Sequence, residues 1–286
     1  MYIDTLRALR PHDQVVLGES RVDDEYALAS ELMRHTPTHC VCAIGRTHGG
    51  DHSTIDYLEH PDALQENVRD NLYAPIVLAE MCKTLNIHLT YVGTGCIFEY
   101  GHSSSSSSSS DGTFSEEDLP NFFGSSYSTI KGFTDRLMRT HYEHHALNVR
   151  IRMPIARKPH PRNFLSKIIS YPHIHSCPNS MTVLDDALPA MIDMARRRHT
   201  GTINMVNPGV IDHHTILTMY RDMCVPEHTW TLVDAQSLAD SGRVKARRSN
   251  NELDTSKLQS MYPDFPSIAS SIHFIFEHEQ SWCSSV

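Results

Sequence analysis

No stretch of eighteen apolar residues occurs in this sequence, so no membrane-spanning helix is expected. The opening residues, MYIDTLRALRPHDQ, are too polar for the core of a signal peptide. Paired C-x-x-C motifs are missing as well. The seven cysteines, at 40, 42, 82, 96, 177, 224 and 283, form an odd set, which argues against both a disulfide framework and a zinc ribbon. Reduced thiols in a soluble, cytoplasmic protein are the simpler expectation. Basic runs are absent too: 25 Lys and Arg stand scattered against 34 Asp and Glu, and the net charge of −9 leaves no electrostatic footprint for a nucleic-acid backbone. A small phosphorylated ligand needs only one or two local cations and stays open.

Histidine is the one abundance that invites a metal, with twenty in the chain. His173 and His175 with Cys177 lack a fourth ligand at recognisable spacing, and His141, His144 and His145 fall on the outer face of a helix. No metal site is expected from either set.

What is present reads as α/β. At 286 residues and 40% hydrophobic composition, the chain is long enough for one such domain carrying a smaller lobe. Apolar runs at Gln14 to Leu17, His39 to Ile44 and His88 to Val92 each sit behind a helix-like stretch, the pattern of parallel strands with crossover helices. Those stretches are Tyr2 to Arg10, Tyr26 to His35 and Pro61 to Leu85, the last broken near Pro75 because proline cannot continue the hydrogen-bond ladder. A helix from about Ser126 to His145 feeds a strand from Leu147 to Arg152. Leu184 to Arg198 reads as a further helix and Gly201 to Val206 as a further strand. Beyond these, Pro208, Pro226, Pro263 and Pro266 separate short helices of an appended lobe. Ser103 to Ser110 have nothing to bury, so residues 101–112 are expected to form a surface loop.

The chemistry centres on Tyr127 and Lys131, which stand four apart within SSYSTIKGFTDRLM and so project from one helix face. A phenol of pKa about 10 is a poor proton donor near neutrality unless an ammonium stabilises its phenolate. Lys131 can supply that charge, which is what carbonyl reduction needs. Alone, Y-x-x-x-K is more often one buried ring and one solvated charge. Here the strand HLTYV leads into Gly93-Thr94-Gly95-Cys96, placing Thr94 at a strand's carboxyl end, where ligands enter a doubly wound sheet. Cys96 lies two residues on and in extended backbone shares a side with Thr94. A thiol, with an ordinary pKa of about 8.5, can exchange protons near neutrality. A small buried hydrophobe is the competing reading of Cys96.

Taken together these residues resemble the extended short-chain dehydrogenase/reductases, and within them the dTDP-4-dehydrorhamnose reductase group. The likeness is greatest to bifunctional UDP-4-keto-6-deoxy-glucose 3,5-epimerase/4-reductases of the plant and giant-virus type. It runs through GRTHG (45 to 49), STIDYLE (53 to 59), NVRDNLYAP (67 to 75), GTGCIFEY (93 to 100) and EEDLPNFFGSSYSTIKGFTDRLM (116 to 138). It continues in RIRMPI (150 to 155), PRNFLSKI (161 to 168), PNSMTVLD (178 to 185), NPG (207 to 209) and RSNNELDTSKL (248 to 258).

The resemblance implies a Rossmann-like doubly wound parallel sheet over 1–152 and 181–207, with a sugar-nucleotide lobe over 153–180 and 208–286. It also implies NADPH as hydride donor and a nucleotide-linked 4-keto-6-deoxy hexose as substrate, with a homodimer as a family expectation only. The family's catalytic threonine, tyrosine and lysine fall on Thr94, Tyr127 and Lys131. A proton-moving pair falls on Cys96 and Lys167, the latter otherwise read as a surface lysine. Asn71 falls where the family steadies the active-site helix, an ordinary polar helix residue being the alternative.

For the cofactor, the family opens with a strand and a G-x-x-G-x-x-G turn that are absent here, so roughly fifteen family residues are expected to be missing before Met1. The remaining candidates are Arg21, Asp23, Gly45, Arg46 and Asn71, with Tyr127 and Lys131, and the backbone at Met153, Pro154 and Ile155. Arg21 suits a ribose 2′-phosphate, or equally a surface salt bridge. For the sugar nucleotide, Asn163, Arg248 and Asn250 offer guanidinium and amide groups, or hydrogen bonds that pack the lobe. Two other readings stay open: a pure 4-keto reductase of the dTDP-rhamnose kind, and a non-catalytic binding or regulatory subunit.

Overall fold

The computed structural model describes residues 1–101, 112–240 and 244–283. Its strands are β1 (His39–Cys42), β2 (His88–Thr94), β3 (Thr113–Phe114), β4 (Ala146–Ile151), β5 (His173–Ile174), β6 (Gly201–Asn204), β7 (Thr231–Leu232) and β8 (Glu252–Leu253). The first helices are α1 (Tyr2–Leu9), α2 (Glu25–His35), α3 (Leu64–Val68), α4 (Ala74–Thr84) and α5 (Ser126–His141). After them come α6 (Phe164–Ile169), α7 (Leu184–Arg196), α8 (His213–Met223), α9 (Ala235–Asp240), α10 (Ser256–Met261) and α11 (Ile268–His278).

Four strands form the main sheet in the order β1-β2-β4-β6, and β1 runs parallel to β2 with Cys42 opposite Tyr91. Nearly every residue of β2 and β4 is buried, as expected of strands covered by helices on both faces. The fold is therefore the Rossmann-like, doubly wound α/β class that the alternating pattern implies.

One expected strand does not form. Residues 14–17 are irregular and pair with none of the strands, with Val16 and Leu17 exposed, so their apolar side chains gain no burial from a strand there. The apolar run is real, but a run alone does not make a strand. The expected poly-serine loop lies almost wholly outside the described residues.

The chain divides into two compact units, each assembled from three stretches. The first comprises Met1–Ile97, Phe122–Arg150 and Leu188–Ile203, and the second comprises Phe98–Asn121, Ile151–Ala187 and Asn204–Val286. Within the first unit, Leu28, Leu32, Cys42, Leu78, Leu89, Tyr91 and Met138 form a core where α2, α4 and α5 cover the sheet. Asp135 of α5 meets Arg150 of β4 at 2.7 Å inside that unit, both side chains almost wholly out of solvent.

Within the second unit, Ile155, Leu165, Ile216, Leu217, Ile272 and Phe276 centre a separate core under α6, α8 and α11. Buried Arg152 is held there by neutral acceptors: Asn179 Oδ1, the Asn251 carbonyl and the Ser249 carbonyl, each at 2.8 Å. Cys224 and Cys283 pair as a disulfide in this unit, which corrects the expectation that every thiol is reduced. An odd count excludes complete pairing but not one pair, and residues 59 apart in sequence leave no local spacing to read.

Candidate active site

Strand β2 ends on Thr94, which is buried, and the chain turns so that the Cys96 backbone N–H donates to the Thr94 hydroxyl at 3.1 Å. Thr94 in turn acts on the Tyr127 phenol, opposing the rise that burial imposes on it. Strand and helix thus meet through one hydroxyl.

Helix α5 is fixed at its start by several short bonds. Ser125 caps it by accepting from the Ser128 N–H at 3.1 Å, the Ser126 N–H donates to Glu59 at 2.8 Å, and the Asn67 amide donates to Ser126 Oγ at 2.8 Å. From this anchored end, Tyr127, Lys131 and Asp135 follow one another on one helix face. Tyr127 is half-buried, and desolvation raises its phenol well above the ordinary value, with Cys96 adding to the rise and Thr94 opposing it. Lys131 is only 4% exposed, and burial pushes its ammonium down to about 8, against the smaller opposing pull of Cys42 and Asp135. Its ammonium donates to the Tyr91 hydroxyl. Burial thus opposes the charged form of both groups, so the phenol gives up a proton near neutrality only where a neighbouring positive charge supports the phenolate.

Asn71 sits in a single π-helical turn, Arg69–Tyr73, between α3 and α4. Pro75 has no N–H to return to the carbonyl four residues earlier, which belongs to Asn71. The Thr134 hydroxyl of α5 donates to that carbonyl at 2.6 Å instead. The Asn71 side chain accepts from the Arg46 N–H at 3.0 Å, and donates to the Arg46 carbonyl at 2.9 Å and to Asn67 at 2.8 Å. A side chain at Gly45 would crowd this group, since a Cβ would stand 3.2 Å from Asn71 Oδ1 and the amide would have to shift.

Nearby, three arginines interleave with three carboxylates. Arg21 meets Asp23 at 2.9 Å, Arg69 meets Asp70 at 2.7 Å, and Arg46 meets Asp70 at 2.5 Å and Glu66 at 3.5 Å. Arg21 keeps 64% of its side chain open, so the surface salt bridge and a free guanidinium face are both present.

The remaining candidates lie in the second unit. Asn163 caps α6 by accepting from the Leu165 N–H at 3.2 Å and donates to the carbonyls of Ala156 at 2.6 Å and Lys158 at 2.9 Å, the lobe-packing arrangement. Asn250 accepts from Asn179 at 2.9 Å through its side chain. Half-buried Lys167 is pushed down by burial and, further, by Arg162 and Arg248, which makes these three a cationic group. Met153 adopts a left-handed φ of 39° ahead of Pro154, a sparsely populated conformation for a residue with a side chain. Ile155 is buried, with its N–H bonded to Thr182 O at 2.8 Å and its carbonyl to the Leu184 N–H at 2.7 Å.

Among the described residues, no three or more His, Cys, Asp or Glu side chains gather as a metal site, and no helix is long and apolar enough to cross a membrane. Tyr91 and Thr134 escape sequence reading. The four-residue step from Asn71 to Pro75 marks an open carbonyl but not the residue that fills it, and nothing in the sequence ties Tyr91 to Lys131.

A parallel α/β sheet, with a threonine ending one strand and a tyrosine and lysine one turn apart on the next helix, defines the class of short-chain reductases. The chain belongs to the extended short-chain dehydrogenase/reductases, in the dTDP-4-dehydrorhamnose reductase group, and is an enzyme of that superfamily. It is 52% identical over 261 residues to protein L780 of Acanthamoeba polyphaga mimivirus, covering 91% of this chain and 88% of that one. The crystal structure of L780, described as a UDP-rhamnose synthase, matches with a TM-score of 0.90 and 49% identity over 96% of this chain and 93% of that one. A bifunctional dTDP-4-dehydrorhamnose 3,5-epimerase/dTDP-4-dehydrorhamnose reductase of Arabidopsis thaliana is 39% identical over 264 residues, 91% of this chain and 83% of that one. A dTDP-4-dehydrorhamnose reductase from Bacillus anthracis, solved in complex with NADP, shares the fold at a TM-score of 0.69 and 14% identity, over 91% of this chain and 87% of that one. No family model matches the chain.

Proposed function

We propose that this enzyme converts UDP-4-keto-6-deoxy-glucose to UDP-L-rhamnose, first inverting C3 and C5 and then reducing C4. The observation that carries the reading is Thr94 at the end of β2, bonded to the Cys96 N–H and acting on Tyr127, with Tyr127 and buried Lys131 one turn apart on α5.

The C3 and C5 protons of a 4-keto sugar flank the carbonyl, so each can leave as an enolate forms when a base and an acid address opposite ring faces. The family resemblance gives these acid and base roles to Cys96 and Lys167, Lys167 being held less protonated than an ordinary lysine by burial and by Arg162 and Arg248. Thr94 holds the C4 oxygen, Tyr127 gives it a proton, and Lys131 supports the phenolate that remains. Arg162 and Arg248, gathered around Lys167, suit the pyrophosphate of a nucleotide sugar.

The residues fit a nicotinamide dinucleotide on two counts. Lys131 offers three donors and spends one on Tyr91, leaving capacity for ribose hydroxyls. Arg21, more than half open, offers its fork to a 2′-phosphate. When bound, NADPH supplies the hydride.

Incubation with UDP-4-keto-6-deoxy-glucose and NADPH in deuterium oxide tests the reading. Loss of absorbance at 340 nm together with deuterium at C3 and C5 is the expected outcome. Cys96→Ser is expected to cut exchange at least about 100-fold while reduction of pre-epimerised substrate persists. Unchanged exchange in that variant would leave a pure 4-keto reductase. Failure to bind NADPH at millimolar concentration would leave a non-catalytic subunit.

A further inference from the structure

Strand β2 places a tyrosine, Tyr91, in the core of the first unit, 1% exposed and opposite Cys42 of β1. Phenylalanine would fill the same volume, so the hydroxyl is what asks for a reason: buried without a partner, it would cost stability. Its partner is the Lys131 ammonium, which donates to Tyr91 Oη while Nζ lies 4.7 Å from the centre of the same ring. Asp135, one helical turn further along α5, acts on Lys131 only through space, its own carboxylate being bonded to Arg150 and Asn148.

We propose that Tyr91 is a positioning residue for the reduction, holding the Lys131 ammonium in place for Tyr127 through a neutral acceptor. This rests on the reductase reading of the same site. A carboxylate in that position would hold the lysine equally well but would cancel the charge that the phenolate needs. Tyr91 itself stays neutral, because burial first and then the neighbouring Cys42, Tyr127 and Asp135 push its own ionisation far up. The titratable groups acting on Lys131 are therefore Cys42 from β1, Tyr91 from β2 and Asp135 from α5, with Tyr127 acting on Tyr91 in turn. Of these, only Tyr91 both touches the ammonium and leaves its charge intact.

Tyr91→Phe removes one oxygen and tests the idea in the full-length protein. Nuclear magnetic resonance of lysine labelled at the ε-carbon is expected to show the Lys131 titration moving at least about half a pH unit lower in the variant. An unmoved titration overturns the proposal. With the sugar nucleotide, kcat at pH 7.5 is expected to fall about ten-fold with KM within about two-fold, the alkaline limb of the profile moving to lower pH. In a Lys131→Met background the same change is expected to have no further effect on kcat, since Tyr91 acts through the lysine. An additive loss, or a drop in melting temperature with the pH profile unmoved, would mark a structural role and overturn the proposal. Should Tyr91→Phe fail to fold, 3,5-difluorotyrosine at position 91 keeps the ring and the hydroxyl while weakening the oxygen as an acceptor, and the same titration decides. If the wild-type protein reduces no 4-keto sugar, the functional reading falls, and the Lys131 titration alone decides whether Tyr91 holds the lysine.

Discussion

Lys131 is a residue the fold tolerates for a chemical reason. An ammonium pushed down to about 8 from 10.5 is held less readily by the folded chain than by the unfolded one, so between these two values stability rises with pH, and below 8 the charge is a standing cost. That cost is about 3 kcal/mol, and Lys131→Met relieves it while leaving the Tyr91 hydroxyl without its donor at about 1–2 kcal/mol. Urea unfolding at pH 7 is expected to find Lys131→Met more stable by about 1–2 kcal/mol, with reductase activity lowered to a small measurable residue. In the wild type, reduction is expected to fall as pH rises through about 8, because the ammonium is then lost. Glu31 runs the other way. Its carboxylate accepts from the Glu19 and Ser20 N–H groups, each at 2.8 Å, which holds it down to about 2. Stability from this group is complete above the ordinary value of 4.5 and disappears as pH falls from there towards 2. Glu31→Gln is expected to flatten the acid limb of a melting-temperature profile in that window. The placement of Tyr127 and Lys131 on one helix face and of Thr94 at a strand end could be read from sequence because spacing and strand ends are local; the hold on Glu31 could not, since its partners come together only once residues 19–20 have turned.

Between elements, the junction of α4 with α5 is made by what one of them lacks. Pro75 withholds a donor, the Asn71 carbonyl is left open, and Thr134 fills it from the neighbouring helix at 2.6 Å. Thr134→Val keeps the shape and removes the hydrogen, and is expected to lower unfolding free energy by about 1–2 kcal/mol in urea with an unchanged m-value. Adding Pro75→Ala, which returns an N–H four residues from the carbonyl, is expected to recover part of that loss. The break near Pro75 was legible because proline's effect is local. Its repair by Thr134 was not, because the two residues meet only through packing. The same distinction explains residues 14–17: an apolar run is visible in sequence, but the neighbour that would make it a strand is a matter of tertiary position.

For the whole molecule, the alternation of strand and helix disclosed the Rossmann-like class, while the route of the chain between its units was not to be seen in composition. Nor was the Cys224–Cys283 bond, which joins the end of α8 to the segment after α11 inside the second unit. Closing a stretch of that length restricts the unfolded chain by up to about 4 kcal/mol. Unfolding under dithiothreitol is therefore expected to be easier by as much as that, and Cys224→Ser to be insensitive to the reductant. The chain passes from one unit to the other five times, after residues 97, 121, 150, 187 and 203. No single cut in the polypeptide can then release either unit whole, since the three stretches of each are interleaved with those of the other. A gene built this way cannot exchange either unit as a cassette, and new preferences have to arise by substitution in place.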